Sequence, residues 1–189
     1  MKPIFLSLGP VNITWFLLFT VVLTIIGYII LKVIAKNNKY RKVMEDYYLL
    51  ELILGFVGAR IVYVIFHLDI YAERLLDAIR PNHYNLNLFG GVLIAVIVLF
   101  ILTKRKGEPF LLILNYLLVP FYFSMAIGVW AFEFEGILSN SNPIETLVYS
   151  IMFFIILVSH LLLFEKHKKV GLITLSLTMI FYYGLEILL

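Results

Sequence analysis

The chain has 189 residues, of which 62% are hydrophobic and only 14% are charged, and its formal net charge is +3 at pH 7. Soluble domains are about half apolar and about a quarter charged, so this composition excludes an ordinary soluble domain and indicates a membrane protein. The chain contains no cysteine, which excludes disulfide bonds, a thiolate nucleophile of its own and a cysteine-ligated metal.

Apolar segments follow one another along the chain, separated by short polar loops. A helix needs about 20 residues to cross a hydrocarbon layer of about 30 Å, and most of the segments reach that length. They cover residues 11–34, 47–67, 86–103, 110–132, 145–164 and 170–189. The sequence therefore predicts an all-α fold, a polytopic membrane helical bundle of about six transmembrane helices. The predicted organisation is a single integral membrane domain over residues 1–189.

Basic residues concentrate in the loops that follow the first, third and fifth apolar segments. They are Lys36, Lys39, Arg41, Lys42, Lys104, Arg105, Lys106, Lys166, Lys168 and Lys169. Cytoplasmic loops carry an excess of Lys and Arg, so these loops are predicted to face the cytoplasm. The amino terminus and the loops 68–85 and 133–143 are then expected to face outward.

Arg60 interrupts the apolar stretch 54–66. An arginine within a span is costly, and such residues usually face the interior of a helical bundle, a cavity or a partner. One interpretation is a structural ion pair or a carbonyl clamp. The other is a cation for a lipid phosphate, since a guanidinium matches phosphate oxygens bidentately. Four glutamates are candidate counter-charges: Glu51, Glu133, Glu135 and Glu186.

Other polar and small residues in the spans favour structural roles. Gly90 and Gly91 at the start of the third segment are expected to allow close helix packing. His160 is expected to be a snorkelling or hydrogen-bonded histidine. The four histidines lack convergent spacing, so no metal site is predicted. The sequence gives no indication of an organic cofactor or of a nucleic-acid partner.

Four stretches resemble motifs of the prolipoprotein diacylglyceryl transferase family, in the family's order and over nearly the whole chain. SLGPVNITWF at 7–16 resembles its amino-terminal signature, and GARIVYVIF at 58–66 resembles its second-span motif with a central arginine. NLFGGVLIA at 87–95 resembles the segment where the family has Ser-Phe-His-Gly-Gly. NPIETL at 142–147 is a weaker match to its His-Pro-Ser-Gln-Leu segment.

The resemblance implies an enzyme of the bacterial cytoplasmic membrane that moves diacylglyceryl from phosphatidylglycerol to the cysteine of a lipoprotein precursor. In that reaction the thiolate of the signal peptide attacks the glyceryl carbon, and glycerol phosphate leaves. The nucleophile belongs to the substrate, so a chain without cysteine is compatible with it. The implied partners are phosphatidylglycerol and a lipoprotein signal peptide or another membrane protein.

The resemblance also implies the site residues. The catalytic candidates are Arg60, Glu133 and Glu135. The substrate-binding candidates are Trp15, Phe16, Tyr63, Phe89, Gly90, Gly91 and Tyr182. Arg60 would stabilise the departing phosphate, and when no lipid is bound it is expected to pair with a carboxylate from the fourth or sixth span.

Several positions depart from the family pattern. Phe89 stands where the family has a histidine, Phe16 stands for a tyrosine, and Glu186 stands for an arginine. The stretch 126–136 lacks the arginine and asparagines of the family's long signature. The alternative function is therefore a non-catalytic relative that binds a lipid, a lipoprotein or a partner membrane subunit. A small transporter or channel subunit is a third, weaker hypothesis.

Overall fold

The computed structural model describes residues 4–8, 11–71, 85–135 and 143–188. Most of the two predicted outward loops, 68–85 and 133–143, and the side chain of Glu186 lie outside the described part of the chain. The described elements are β1 (Ile4–Leu8), β2 (Val11–Thr14), α1 (Trp15–Ile34), α2 (Arg41–Phe66), α3 (Leu68–Tyr71), α4 (Leu88–Lys106), α5 (Phe110–Gly128), α6 (Trp130–Glu135), α7 (Pro143–Leu163) and α8 (Val170–Leu188).

Long apolar helices dominate the described chain, which confirms the predicted polytopic helical membrane fold. Five stretches are long and apolar enough to cross a bilayer: Trp15–Ile34, Arg41–Phe66, Leu88–Lys106, Phe110–Glu135 and Ile144–Leu163. The sixth predicted span corresponds to a shorter apolar helical stretch, Val170–Leu185. The fourth predicted span is divided between α5 and α6.

The predicted start of the first span, at Val11, is four residues too early, because residues 11–14 form a strand. β2 pairs antiparallel with β1, with Ile4 opposite Thr14 and Ser7 opposite Asn12. Valine, isoleucine and threonine favour strands over helices. α1 begins only at Trp15, where the Thr14 hydroxyl accepts a 3.2 Å hydrogen bond from the backbone N–H of Leu17 and caps the helix.

The chain forms two compact units, Lys42–Phe110 and the combination of Met1–Arg41 with Leu111–Leu189. Within the first of these, α2 and α4 approach closely through small residues. A Cβ added to Gly91 would lie 2.6 Å from the carbonyl oxygen of Gly55 and 3.0 Å from the Cβ of Ala59. A side chain at Gly90 would overlap Val62. This confirms that the glycine pair permits close helix packing.

In the other unit, α5, α7 and α8 are joined by a buried polar network. His160 is fully buried, and its Nε2 lies 2.9 Å from the Asn115 carbonyl oxygen. A carbonyl only accepts, so Nε2 carries the proton. Nδ1 lies 3.0 Å from Thr174 Oγ1. The Asn115 side chain accepts from Gly171 N at 2.8 Å. The hydrogen-bonded interpretation of His160 is confirmed.

Candidate functional site

The guanidinium of Arg60 lies in a cluster with Asn85 and Tyr71, which we call the arginine cluster. Arg60 Nη1 donates a 3.1 Å hydrogen bond to the Asn85 carbonyl oxygen, and its guanidinium carbon lies 5.3 Å from the centroid of the Tyr71 ring. Asn85 Nδ2 donates a 3.2 Å hydrogen bond to the Tyr71 hydroxyl. The three contacts close a ring in which each residue touches the other two.

The arginine cluster holds the Arg60 guanidinium in place. Arg60 lies on α2 about 9 Å before Phe66, the last residue of the helix, at a rise of 1.5 Å per residue. Arg60 is half-buried, whereas the Tyr71 side chain is only 4% exposed. A buried ring that faces a guanidinium attracts it electrostatically. The hydrogen bond from Arg60 to the Asn85 carbonyl is the kind of carbonyl clamp that the sequence analysis considered. The predicted pairing of Arg60 with a carboxylate stays a prediction.

Sequence reasoning missed Asn85 and Tyr71. Tyr71 ends the four-residue helix α3, and Asn85 precedes α4, so neither belongs to a periodic apolar pattern. The structure brings both to Arg60. The capping preference of asparagine could have drawn attention to the 85–87 segment, but it gives no indication of a contact with Arg60.

Asn87 holds the first turn of α4 beside the arginine cluster. Its backbone N–H donates a 3.0 Å hydrogen bond to the carbonyl oxygen of Ala59, the residue that precedes Arg60. Its side-chain oxygen accepts a 2.7 Å hydrogen bond from the backbone N–H of Gly90, which caps α4. The half-buried Phe89, predicted to bind substrate, therefore lies in the first turn of a helix that is attached next to Arg60.

Tyr63 lies on α2 three residues after Arg60, a spacing that places both on one side of the helix. Its ring stacks on the His67 ring, with centroids 4.1 Å apart and an interplanar angle of 15°. The His67 Nδ1 donates to the Tyr63 carbonyl oxygen over 2.9 Å. The predicted substrate contact of Tyr63 stays a prediction, and the observed partner of its ring is His67.

In the unit that contains α1, the Glu135 carboxylate caps the start of α1. Its Oε1 accepts a 2.7 Å hydrogen bond from the backbone N–H of Phe16, and its side chain is 4% exposed. The first N–H groups of a helix have no partner within the helix, and the helix dipole favours a negative charge there. Glu135 therefore has a structural role, which sequence reasoning missed.

Aromatic rings surround this cap. The Trp15 ring stacks on Phe134, with centroids 5.1 Å apart, and meets Phe5 of β1 edge-on at 4.8 Å. The Phe16 ring lies 5.8 Å from Phe132. Two residues predicted to bind substrate, Trp15 and Phe16, thus lie together with Glu135. We call this group the α1 cap.

Glu133 and Tyr182 have other neighbours in the same unit. Glu133 is half-buried, and its Oε2 accepts a 3.3 Å hydrogen bond from the buried Thr146 hydroxyl of α7. The Tyr182 ring of α8 lies 5.3 Å from the Tyr149 ring of α7. Across the described ranges, no group of three histidine or acidic residues is placed to hold a metal ion.

The chain is similar to known proteins over nearly its whole length, including α2, which carries Arg60. The family model for prolipoprotein diacylglyceryl transferase matches residues 3–186. The chain belongs to this family. The resemblance inferred from the four motifs is confirmed, and the family membership agrees with the multi-pass membrane fold.

Individual relatives are named phosphatidylglycerol–prolipoprotein diacylglyceryl transferase. A phosphatidylglycerol–prolipoprotein diacylglyceryl transferase of Finegoldia magna is 31% identical over 125 residues, which cover 66% of this chain and 50% of the relative. One from Fusobacterium nucleatum is 27% identical over 129 residues, covering 68% of this chain and 45% of the relative. One from Streptococcus pneumoniae is 31% identical over 107 residues, which cover 56% of this chain and 41% of the relative. The chain spans about half the length of the relatives it matches.

Proposed function

We propose that the protein is a diacylglyceryl transferase of the bacterial cytoplasmic membrane. It takes the diacylglyceryl group from phosphatidylglycerol and transfers it to the cysteine of a lipoprotein precursor. Family membership over residues 3–186 supports the reaction class, and the names of the relatives support phosphatidylglycerol as the lipid. The single observation that carries the proposal is the arginine cluster, which holds the Arg60 guanidinium in a defined position on an apolar helix.

The reaction sets two chemical requirements. The cysteine sulfur attacks the glyceryl carbon next to the phosphate, so that an S–C bond forms and the C–O bond to the phosphate breaks. Glycerol phosphate leaves with the electron pair, and the thiol loses its proton to a base. The site therefore needs a cation at the departing phosphate and a proton acceptor at the thiol.

Arg60 meets the first requirement. A guanidinium binds two phosphate oxygens through parallel N–H donors, and its geometry is more specific than that of an ammonium group. The cation–π contact with Tyr71 and the hydrogen bond to Asn85 restrict its rotamer before a lipid arrives. A donor that is oriented in advance does not need to reorganise when charge develops on the leaving group.

Glu133 is the better of the two predicted carboxylates for the proton. Its observed hydrogen bond, from Thr146, is long at 3.3 Å, and the side chain is half-buried. Glu135 instead caps α1 through a 2.7 Å hydrogen bond and is almost fully buried. We propose that Glu133 accepts the thiol proton and that Glu135 positions Trp15 and Phe16.

A second candidate function, a non-catalytic lipid-binding relative, is favoured by one observation. Phe89 occupies the first turn of α4, next to the attachment point of Asn87, where the family motif has a histidine. A phenyl ring can neither donate nor accept a proton there. The protein would then bind a phospholipid or a partner membrane subunit and catalyse no transfer.

The two functions are separated by a direct transfer assay. The protein is reconstituted in vesicles that contain phosphatidylglycerol, and a peptide with a lipoprotein cleavage motif is added. Mass spectrometry then reports whether the peptide cysteine gains a diacylglyceryl group. We expect a gain that depends on phosphatidylglycerol. No gain, under conditions in which the Streptococcus pneumoniae relative modifies the peptide, would favour the non-catalytic alternative.

A further inference from the structure

The strand β1 exposes apolar side chains on both of its faces. Ile4, Phe5 and Leu6 are consecutive residues, and their side chains are 37%, 46% and 44% exposed. The pairing register shifts between Ile4 and Leu6, a bulge that interrupts the regular alternation of faces, and all three exposed side chains of this stretch are apolar. A hairpin in water normally carries polar residues on its solvent-facing side. β1 therefore has the surface of an element that contacts an apolar phase.

The register of the hairpin places this apolar stretch at the beginning of a membrane-spanning helix. Ile4 lies opposite Thr14, the residue that caps α1, and the Phe5 ring contacts the Trp15 ring edge-on at 4.8 Å. A strand rises about 3.3 Å per residue, so Leu6 lies within about 7 Å of Ile4 along β1. The apolar side chains of β1 thus lie at the depth where α1 enters the bilayer.

Exposed apolar side chains are also present in the first turns of α1. Leu17 and Val21, one turn apart on α1, are 46% and 50% exposed, and α1 is apolar enough to cross a membrane. The next pair of the hairpin is polar, because the exposed Ser7 hydroxyl donates a 2.8 Å hydrogen bond to the side chain of Asn12. The exposed apolar stretch of β1 is therefore followed by a polar pair, beyond which Leu8 pairs with Val11.

The backbone sets a limit on how deep the hairpin can lie. A two-stranded sheet leaves one edge of each strand outside the ladder, and such backbone groups are not tolerated against lipid tails in the hydrocarbon region. In the headgroup region water satisfies them, and an amphipathic aromatic side chain such as Trp15 favours the boundary between headgroups and acyl chains. The same boundary accommodates elements with one apolar and one polar portion.

We infer that the hairpin of β1 and β2 is a lipid-binding surface that lies in the headgroup–acyl boundary of the leaflet next to the amino-terminal end of α1. Ile4, Phe5 and Leu6 insert among the upper acyl carbons, and Ser7 and Asn12 stay among the headgroups. The α1 cap, with Trp15 and Glu135, is thereby held at the lipid surface. This inference is independent of the proposed transfer reaction.

The absence of cysteine from the chain makes a direct test possible. Single variants Leu6→Cys, Ser7→Cys and Ile25→Cys are spin-labelled and reconstituted in phosphatidylglycerol vesicles. Ile25, 56% exposed within α1, provides the lipid reference, and Ser7, placed among the headgroups, provides the polar reference within the hairpin. Collisions with oxygen report lipid exposure, and collisions with a water-soluble nickel chelate report water exposure.

We expect the Leu6 label to collide preferentially with oxygen, with a ratio much closer to that of the Ile25 label than to that of the Ser7 label. An Ile4→Cys label, whose site lies at the cap of α1, is expected to behave in the same way. A Leu6 label as accessible to nickel as the Ser7 label would overturn the inference. The inference would also be overturned if the Leu6 label lost its nickel accessibility only when the peptide substrate is added. In that case the surface would bind an extended peptide.

Discussion

Arg60 Nη1 donates its hydrogen bond to the backbone carbonyl of Asn85, over 3.1 Å, from a helix that is apolar enough to cross a membrane. The two residues are 25 positions apart, and Tyr71, between them in sequence, closes the arrangement with its ring and its hydroxyl. The carbonyl partially compensates the cost of placing a guanidinium in a span. The ring adds an electrostatic attraction that is stronger in an apolar environment. The arginine cluster is thus a preorganised cation.

Substituting Tyr71 tests whether the ring positions Arg60. Tyr71→Leu removes the cation–π contact, which contributes about 1 kcal/mol, and we expect the KM for phosphatidylglycerol to rise about fivefold. Tyr71→Phe retains the ring and loses only the hydrogen bond from Asn85, so a smaller effect is expected. Steady-state transfer kinetics measure both variants. An equal effect of the two substitutions would show that the ring does not act on the guanidinium.

Glu135→Gln and Glu133→Gln are expected to differ in effect: the first lowers stability and the second lowers the rate of transfer. Glu135→Gln removes a charge from the start of α1 and should lower stability by about 0.5–1 kcal/mol. Glu133→Gln removes the proposed proton acceptor, so transfer should fall by about a hundredfold with an unchanged Tm. Thermal unfolding in detergent and the transfer assay compare the two variants. A Glu133→Gln protein with full activity would contradict the assigned role.

Gly91→Ala tests the close approach of α2 and α4. The added methyl group would lie 2.6 Å from the Gly55 carbonyl oxygen, which is backbone and yields little. Overpacking of this kind costs about 1–3 kcal/mol, so we expect a lower Tm. Gly55→Ala is the matched control, because a Cβ at Gly55 meets nothing within 4 Å. If both variants unfolded at the wild-type temperature, the helix contact would be looser than described.

His160→Ala tests the buried network of α5, α7 and α8. The substitution removes the hydrogen bonds of the imidazole with the Asn115 carbonyl and with the Thr174 hydroxyl, which also contacts the backbone carbonyls of α8. Hydrogen bonds between membrane helices contribute up to about 2 kcal/mol, and we expect a loss of about this size in the free energy of unfolding. The exposed His167, in the turn after α7, provides the control His167→Ala. Equal unfolding curves for the two variants would exclude the network as a source of stability.

The sequence predicted the elements that depend on local composition. Hydropathy located most span boundaries to within a few residues, although α2 begins six residues before the predicted start at 47. Small residues at 90–91 predicted close packing. Both signals are contained in one segment. The first span was placed too early because Val11 and Ile13 are as apolar as a helix interior, and hydropathy does not distinguish a strand from a helix over four residues.

The contacts of the site residues could not be predicted in the same way. Glu135 and Phe16 are 119 positions apart, and no local pattern indicates that one caps the helix of the other. Asn85 and Tyr71 contact Arg60 although neither lies within a helical turn of it in sequence. The family resemblance predicted Arg60, Glu133 and Glu135 as site residues, but a motif does not say which neighbour a side chain contacts. Their catalytic roles stay predictions.

Replacement of Arg60 in the transfer assay tests whether its guanidinium stabilises the departing phosphate. We predict that Arg60→Ala lowers the rate of diacylglyceryl transfer by at least about a hundredfold, and that Arg60→Lys retains part of it, because lysine keeps the charge without the bidentate geometry. Arg105→Ala, which removes an exposed arginine at the end of α4, should leave the rate unchanged. Transfer at the wild-type rate by a folded Arg60→Ala protein would contradict the account.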